Sequence, residues 1–526
     1  MRRLLISFVI TATLVSCSSD SGVEVVSRDS SPSGMSTDAP TSDSSPAPDD
    51  SDAPSTIAPG AGAELTDQWP TPTIDWSECG TGLECGTIDV PIDYTDPNSK
   101  MATLNLVKHP ATSTTKRIGS LLVNPGGPGF GGAILAERAD GIYSSALLAA
   151  FDIIGFDPRG TGESVPTIDC IDDYDTYFAS GDITPDTPAE HDELVQAQQD
   201  FTNECFAKSS DILEFSGTNN VARDMEMIRR ALGEETISYF GFSYGSELGA
   251  TWATLFPHTV RAAVLDGASD PEADPLDDVL QQNKGFEDAI ARFLAQCSQN
   301  RDCELYPDAE KKFDALMESL DENPIPTSPG RPDLTRGMAL TAVAEAMYSD
   351  SYWPQLETAL LDAINGDGAG MLDLWDQYFQ RYPDGTYGNE LEAFVNILCA
   401  DRSERLTVEE ADALAPRYNE NAPRFTPGTT GDYTCTFWPA ARDPRVDITG
   451  AGAGPIVVIG TTGDAATPLK GTRNMAKVLE DGRLIVVDAD QHTGYSDSLC
   501  AQDAVDAYLI DLATPAERGS ELTCTN

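Results

Sequence analysis

Residues 237–245 read Ile-Ser-Tyr-Phe-Gly-Phe-Ser-Tyr-Gly, and this stretch decides the fold. An apolar strand predicted over residues 236–240 leads directly into the Gly-x-Ser-x-Gly sequence at 241–245, and a helical pattern follows over 246–255. A strand that turns sharply into a helix at such a sequence holds the serine at a strained, exposed tip. Glycine suits both flanking positions, because larger side chains would collide across the turn. The stretch therefore predicts Ser243 as a nucleophile.

The chain around this turn alternates between strands and helices. Strands are predicted at 104–107, 120–123, 152–156, 262–265, 455–459 and 484–487, and helices at 221–232, 246–255 and 504–512. Alternation of this kind is typical of an α/β fold with a mostly parallel sheet and helices on both faces.

A long insertion separates the strands near residues 265 and 455. Within it apolar residues recur at helical spacing, as at Phe286, Ile290, Phe293 and Leu294. We expect a large, mainly helical cap over the carboxyl ends of the strands, where open α/β sheets bind ligands. The expected domains are a first core part over 66–270, the cap over 271–450 and a second core part over 451–526.

A serine hydroxyl needs a base, and the chain contains four histidines. His109 ends an early strand, His191 lies in an acidic insertion, and His258 joins a helix to the next strand. In sheets that carry this kind of turn, the triad follows the order serine, acid, histidine along the chain. His492 follows the last predicted strand, so we expect it to be the general base.

Asp464 is the candidate for the acid. It ends the sequence Gly-Thr-Thr-Gly-Asp, directly after the strand at 455–459, and is the one carboxylate there. Asp488 and Asp490 are nearer to His492 in sequence but lie on its own loop. We expect Asp464 to orient the histidine; a turn-forming aspartate is the alternative.

The glycine-rich sequence Asn-Pro-Gly-Gly-Pro-Gly at 124–129 follows another strand. Such a loop can bring backbone N–H groups close to an oxyanion. We expect one donor at Gly127 and the other at Tyr244, directly after the nucleophile. A phosphate site is disfavoured because no Gly-Lys-Ser/Thr follows, and a plain tight turn is the alternative.

The amino terminus predicts export. Two arginines precede a short apolar run at 4–15, which is shorter than the roughly 20 residues that a transmembrane helix needs. Residues 1–16 are typical of a signal peptide, and Leu-Val-Ser-Cys at 14–17 resembles a lipobox that would place a lipid on Cys17. Ordinary cleavage beside an incidental cysteine is the alternative. The Ser-, Pro- and Asp-rich remainder of 17–65 predicts a disordered linker.

The charge of the chain excludes some classes of binding partner. The 86 acidic and 33 basic residues give a net charge of -53, which repels nucleic-acid phosphates and anionic lipid headgroups. We therefore expect that the protein binds no nucleic acid. We expect it to contact a membrane only through a lipid anchor, on the outer face of the cell membrane; secretion is the alternative.

The chain has 11 cysteines, and the ten other than Cys17 form an even set, which indicates disulfides, most simply between cysteines that follow one another in the sequence. The spacing of cysteine and histidine predicts no metal, and we expect no cofactor.

Several motifs together resemble the tripeptidyl-aminopeptidase-like branch of the prolyl-iminopeptidase family, within the α/β-hydrolase superfamily. The matching stretches are PGGPG at 125–129, GFDPRG at 155–160, GFSYG at 241–245, DGA at 266–268, Gly463-Asp464 through Thr467-Pro468, and QHT at 491–493. The resemblance extends from about residue 69 to the end. The members that the chain most resembles are secreted or cell-envelope lipoprotein serine proteases of actinobacteria.

This resemblance implies an α/β-hydrolase fold and the release of short peptides from free amino termini, with acidic groups of the cap holding the amine. Prolyl iminopeptidases have histidine at the position of Pro125, which argues against strict release of single prolines. Asp401 is the candidate for holding the amine; an acid at a solvated helix end is the alternative. A carboxylesterase of the same fold is the alternative function, and a non-catalytic surface lipoprotein is a third. The intact set of Ser243, Asp464 and His492 argues against the third.

Overall fold

The computed structural model describes residues 61–179, 181–428 and 431–525. The predicted signal peptide and Cys17 lie outside these described residues. The first helix begins at Ala63, inside the range 17–65 assigned to the linker, and its Leu65 is buried.

In the described part of the chain, ten strands form one sheet: β1 Ser77–Gly80, β2 Leu83–Pro91, β3 Met101–His109, β4 Gly119–Asn124, β5 Phe151–Phe156, β6 Ile237–Phe242, β7 Val260–Asp266, β8 Ile456–Thr461, β9 Gly482–Asp488 and β10 Glu521–Thr525. Their order is β1-β2-β3-β5-β4-β6-β7-β8-β9-β10. The pairs β1–β2, β2–β3 and β3–β5 are antiparallel, and every pair from β5 to β10 is parallel. The sheet is therefore mostly parallel, as predicted.

The helices are α1 Ala63–Thr66, α2 Ala133–Glu137, α3 Ala139–Ile142, α4 Ser145–Ala150, α5 Pro188–Ser209, α6 Thr218–Leu232, α7 Tyr244–Leu255, α8 Pro275–Gln299, α9 Ala309–Glu322, α10 Arg336–Met347, α11 Trp353–Ile364, α12 Ala369–Tyr378, α13 Glu390–Asp401, α14 Val408–Asp412, α15 Ala415–Asn421, α16 Leu469–Val478 and α17 Leu499–Asp511. Helices α8 to α15 all lie between β7 and β8. We use the term cap segment for residues 271–450, which contain them. In the described ranges, no helix has the length and apolar character that crossing a membrane requires.

Both faces of the sheet are buried. In β4, Leu121 and Val123 pack with α2, α3, α4 and α17 on one face, whereas Leu122 faces the core that contains α6, α7 and α16. Successive side chains of a strand point to opposite faces, so burial of both faces requires an apolar residue at nearly every position. This requirement explains why the central strands were recognisable as continuous apolar runs.

A buried ion pair fastens α6 to the loop after β5. The Arg159 guanidinium has no exposed surface and donates to both Asp224 oxygens, at 2.7 and 2.5 Å. Asp224 also accepts a hydrogen bond from the hydroxyl of Tyr94 at 2.8 Å. The arginine of the GFDPRG motif therefore has a structural partner in the core.

Residues 61–525, apart from the gaps named above, contain five disulfides, and each joins two cysteines that follow one another in the sequence: Cys79–Cys85, Cys170–Cys205, Cys297–Cys303, Cys399–Cys435 and Cys500–Cys524. The first links β1 to β2, and the last links α17 to β10. Both ends of the sheet are thus fastened covalently.

Candidate active site

The predicted nucleophile lies alone between a strand and a helix. β6 ends at Phe242, α7 begins at Tyr244, and Ser243 between them has φ 54° and ψ -125°. Residues other than glycine rarely adopt positive φ, and such strained positions concentrate at functional sites. The Ser243 N–H donates to the carbonyl of Asp266 at 2.8 Å, which fixes the turn to the end of β7.

The two glycines of the turn are required by close approach. A Cβ at Gly241 would lie 2.2 Å from the carbonyl oxygen of Gly245, and a Cβ at Gly245 would lie 2.9 Å from that of Asn124. The Tyr239 hydroxyl donates to the Gly245 carbonyl at 2.7 Å. The collision expected from the sequence is therefore the reason for both glycines.

The structure brings the predicted acid and base together. Nδ1 of His492 lies 3.0 Å from each carboxylate oxygen of Asp464. The N–H groups of Ala466 and Thr467 donate to Asp464 Oδ1 at 3.0 and 2.8 Å, and the Thr467 hydroxyl donates to Oδ2 at 3.0 Å. Asp464 is therefore held in one orientation with an acceptor directed at the imidazole.

The environment of His492 suits a general base. Burial lowers the pKa of the imidazole, but the charge of Asp464 and its hydrogen bond raise it more, so the pKa lies above its ordinary value. Nε2 is buried and has no hydrogen-bond partner among the described residues. In a serine–histidine pair this is the nitrogen that accepts the hydroxyl proton.

Ser243 and His492 both lie beside the segment Asp266-Gly267. Among the described atoms they form no hydrogen bond with each other. Ser243 is bonded to Asp266, and a Cβ on the next residue, Gly267, would lie 3.0 Å from Cε1 of His492. Catalytic hydrogen bonds are often long in structures without substrate and shorten when substrate binds. The arrangement thus has the three residues of a triad, and the hydrogen bond between serine and histidine is not formed among the described atoms.

Asp266 is a functional candidate that the sequence analysis missed. Its buried carboxylate accepts hydrogen bonds from the N–H groups of Gly494 and Tyr495, two and three residues after His492, at 2.8 and 2.9 Å. Burial raises the pKa of Asp266 to about 6. One residue therefore connects the serine turn, through its carbonyl, with the histidine loop, through its side chain. Its motif at 266–268 was the available signal.

The predicted oxyanion donors, the N–H groups of Gly127 and Tyr244, belong to two segments that contact each other. A Cβ at Gly126 would lie 2.8 Å from Ser243 Cβ and 3.2 Å from the amide nitrogen of Tyr244, so the loop after β4 packs directly against the serine turn. Gly126 donates its own N–H to Asn124 Oδ1 at 2.9 Å. Tyr244 opens α7, and the first N–H groups of a helix have no partner within the helix. Gly127 follows Gly126 in this loop, and its role as a donor stays a prediction.

Asp401 lies at the end of α13, close to the serine turn. Its carboxylate accepts the N–H of Thr218 at 2.6 Å and the Thr218 hydroxyl at 2.5 Å, and that hydroxyl also contacts the hydroxyl of Tyr244 at 2.5 Å. Burial raises the pKa of Asp401 to about 7. The residue caps the amino end of α6 and reaches Tyr244 through one hydroxyl.

Glu345 on α10 is a second acidic candidate, and the sequence analysis did not select it. Within the described residues its carboxylate has no hydrogen bond or ion pair, and burial raises its pKa to about 7. Three residues later, the ring of Tyr348 packs edge-on against the His492 imidazole, with 5.5 Å between centroids. An unpaired acid about one helical turn from a tyrosine that contacts the base is a candidate for contact with substrate. A single acid in so acidic a sequence gave no signal.

Within the described ranges, one group of side chains has the spacing of a metal site, namely Cys297, Cys303 and Glu357. The two cysteines form a disulfide. Because metals bind the free thiolate, this group is not suited to a metal.

Comparison with known proteins gives the same fold. The family model of the alpha/beta hydrolase fold matches residues 119–499. The serine protease Hip1 of Mycobacterium tuberculosis (strain ATCC 25618 / H37Rv) is 35% identical over 474 residues, covering 84% of this chain and 89% of that protein. Carboxylesterase B of the same strain is 35% identical over 484 residues, covering 88% and 92%. A tripeptidyl aminopeptidase of Streptomyces coelicolor is 29% identical over 481 residues, covering 86% of each chain.

Proposed function

Because the chain belongs to the α/β-hydrolase fold family and is a serine hydrolase, we propose that it is a peptidase that releases short peptides from free amino termini. In this proposal Ser243 is the nucleophile, His492 the general base and Asp464 the acid that orients it. The observation that carries the proposal is the 3.0 Å contact of His492 Nδ1 with Asp464, beside a serine at φ 54°.

The chemistry follows from these positions. Nε2 of His492 accepts the proton of the Ser243 hydroxyl as Oγ attacks the substrate carbonyl, and the N–H groups of Gly127 and Tyr244 stabilise the oxyanion. Asp464 keeps the remaining proton on Nδ1 and stabilises the imidazolium. The imidazolium then protonates the leaving amine, and the C–N bond breaks to give an ester on Ser243. Water attacks this ester by the same route, which releases the peptide and regenerates the serine.

An exopeptidase must hold the cationic amino terminus of its substrate. Asp401 stays our candidate from the sequence, supported by its link through Thr218 to Tyr244. Glu345 is a further candidate because its carboxylate has no partner among the described residues. Partly desolvated carboxylates make strong charge-assisted hydrogen bonds to ammonium groups. We therefore place the amine between the cap segment and the serine turn.

A carboxylesterase is the second candidate function. The observation that favours it is that carboxylesterase B and the serine protease Hip1 are each 35% identical to this chain. The same triad cleaves esters and amides, so the triad alone does not separate the two activities. Recognition of the free amino terminus of the substrate separates them.

The proposal extends to the domains of the chain and to its location in the cell. We propose that residues 271–450 form the cap of a core made from 66–270 and 451–526. We also propose export through a signal peptide over 1–16, followed by anchoring at Cys17 on the outer face of the cell membrane or, failing that, secretion. The apolar run at 4–15 and the Leu-Val-Ser-Cys sequence at 14–17 support these proposals.

Steady-state rates on tripeptide amides with free and with acetylated amino termini test the function. We expect the free amine to be preferred by at least about tenfold in kcat/KM, equivalent to about 1.4 kcal/mol. Asp401→Asn and Glu345→Gln separate the two acids, because loss of the amine contact raises KM for the free-amine substrate and leaves hydrolysis of an acetylated ester unchanged. Equal rates on both amides, with faster cleavage of esters, would instead identify a carboxylesterase. Ser243→Ala should be inactive on every substrate.

A further inference from the structure

The loop that carries His492 is paired with the cap segment through the backbone. The N–H of Asp350 donates to the carbonyl of Asp490 at 3.0 Å, and the N–H of His492 donates to the carbonyl of Tyr348 at 2.8 Å. Between these two bonds the middle residues of the two segments form an isolated antiparallel bridge. Residues 348–350 thus act as a short strand against 490–492, so the histidine loop is positioned by the cap segment as well as by the sheet.

Arg292, on α8 of the cap segment, contacts the loops of both the acid and the base. Its Nε donates to Asp490 Oδ1 at 2.7 Å, two residues before His492. Its Nη2 donates to the carbonyl of Gly463 at 2.8 Å, one residue before Asp464. A single guanidinium therefore spans the gap between the loop after β8 and the loop after β9.

The chemistry of arginine suits this bridging position. A guanidinium presents several N–H donors in a rigid plane, so two acceptors that bind it are held at a fixed separation. A lysine has one nitrogen on a flexible stem and fixes this separation poorly. The loops also meet directly, since the Gly463 N–H donates to the carbonyl of Ala489 at 2.9 Å. Arg292 adds the contact that comes from the cap segment.

We propose that Arg292 is a positioning residue, which holds Asp464 and His492 in register and makes assembly of the triad depend on the position of α8. Two observations separate this role from general stabilisation. The side chains of Arg292 and Asp490 are each 38% exposed, and exposed ion pairs contribute little to folding. Both acceptors of the arginine, by contrast, lie within two residues of a triad member. The proposal rests on the triad assigned above.

The test compares the full-length protein with Arg292→Gln, Arg292→Lys and a matched control. Arg424→Gln is the control, because Arg424 also belongs to the cap segment and pairs with a partly exposed aspartate, Asp314, at 2.8 Å. For each protein we would measure kcat and KM on p-nitrophenyl acetate, the rate of inactivation by a small fluorophosphonate, and the melting temperature. An acetyl ester is too small to need contacts with the cap segment, so its kcat reports on the triad.

We expect Arg292→Gln to lower kcat and the inactivation rate by on the order of tenfold or more, with KM within about twofold, because misplacement by 1 Å can cost roughly 100-fold. Arg292→Lys should be intermediate, and Arg424→Gln should match the wild type. If Arg292→Gln keeps the wild-type kcat and inactivation rate, the proposal is wrong. A loss that accompanies a lower melting temperature, or that Arg424→Gln shares, would reduce Arg292 to a structural residue. Fluorophosphonate labelling of Ser243→Ala would instead overturn the triad itself.

Discussion

Replacing Asp464 with asparagine tests the proposed triad most directly, because the substitution keeps the shape of the side chain and removes its charge. Two backbone N–H groups, from Ala466 and Thr467, point at Oδ1. The amide oxygen of asparagine must occupy this position, since an NH2 group there would meet two donors. The new NH2 group therefore replaces Oδ2, and Nδ1 of His492 then lies 3.0 Å from an amide donor at that position and from the amide oxygen at the other.

This orientation sets the size of the effect. With two acceptors the aspartate admits only the tautomer that carries its proton on Nδ1, whereas the NH2 group can donate to Nδ1 and so stabilise the tautomer with its proton on Nε2. In that tautomer Nε2 has no lone pair for the Ser243 proton. In serine proteases the wrong tautomer costs roughly 10⁴ in kcat, which is about 5.5 kcal/mol of transition-state stabilisation. The hydrogen bonds that Asp464 accepts from the backbone are kept, so we expect the melting temperature to change little. The predicted loss is therefore confined to catalysis.

The assay is kcat/KM on a tripeptide amide and on a small ester, measured against pH. The matched control is Asp488→Asn, at the end of β9 and directly before the histidine loop, where the carboxylate accepts a hydrogen bond from the Thr462 hydroxyl at 2.8 Å. The control should retain nearly all activity. An Asp464→Asn enzyme within about tenfold of the wild type would refute the tautomer argument. A large loss in Asp488→Asn as well would show that the loop, and not the acid, is sensitive.

Three further predictions follow from the structure and the sequence. His492 must be neutral to act as a base, and its pKa lies above the ordinary imidazole value of 6.5. Activity should therefore fall as the pH drops, with a midpoint above 6.5. A pH–rate profile with a midpoint below that value would contradict this prediction. Asp224→Ala should lower the free energy of unfolding by about 3–5 kcal/mol in urea denaturation, because it leaves the Arg159 charge buried without its partner; a change under about 1 kcal/mol would contradict this. Cys17→Ser should abolish lipid labelling and release active protein from membranes, and a variant that stays in the membrane fraction after an alkaline wash would show that the anchor lies elsewhere.

The centre of the fold was predictable from sequence because it is buried on both sides. Strands β4 to β9 are apolar and buried at most positions, and β3 alternates between buried apolar and more exposed residues. The edge strands were not predicted, for a physical reason: all four residues of β1 are exposed, and β10 has a single buried residue, Cys524. Such strands carry no apolar run. Disulfides to β2 and α17 hold them in place.

The site was predictable in part, because chain order fixes which loops meet. Ser243, Asp464 and His492 each follow a parallel strand, and the carboxyl ends of parallel strands share one edge of the sheet. The contribution of Arg292 depends on the path of a cap helix, which periodicity does not specify. That Glu345 has no partner among the described residues is likewise a property of three-dimensional packing.

The pattern of the disulfides described above has a consequence for how the chain acquires them. The five pairs are separated by 6, 35, 6, 36 and 24 residues, and no pair in the described part of the chain encloses or crosses another. In a chain that emerges amino end first, each of these ten cysteines therefore meets its correct partner before the cysteines of the next pair appear. Oxidation in the order of emergence gives the native set without thiol–disulfide exchange, which is the slow step when cysteines first pair wrongly. For these ten cysteines we therefore expect disulfide formation in the order of emergence to need an oxidant more than an isomerase.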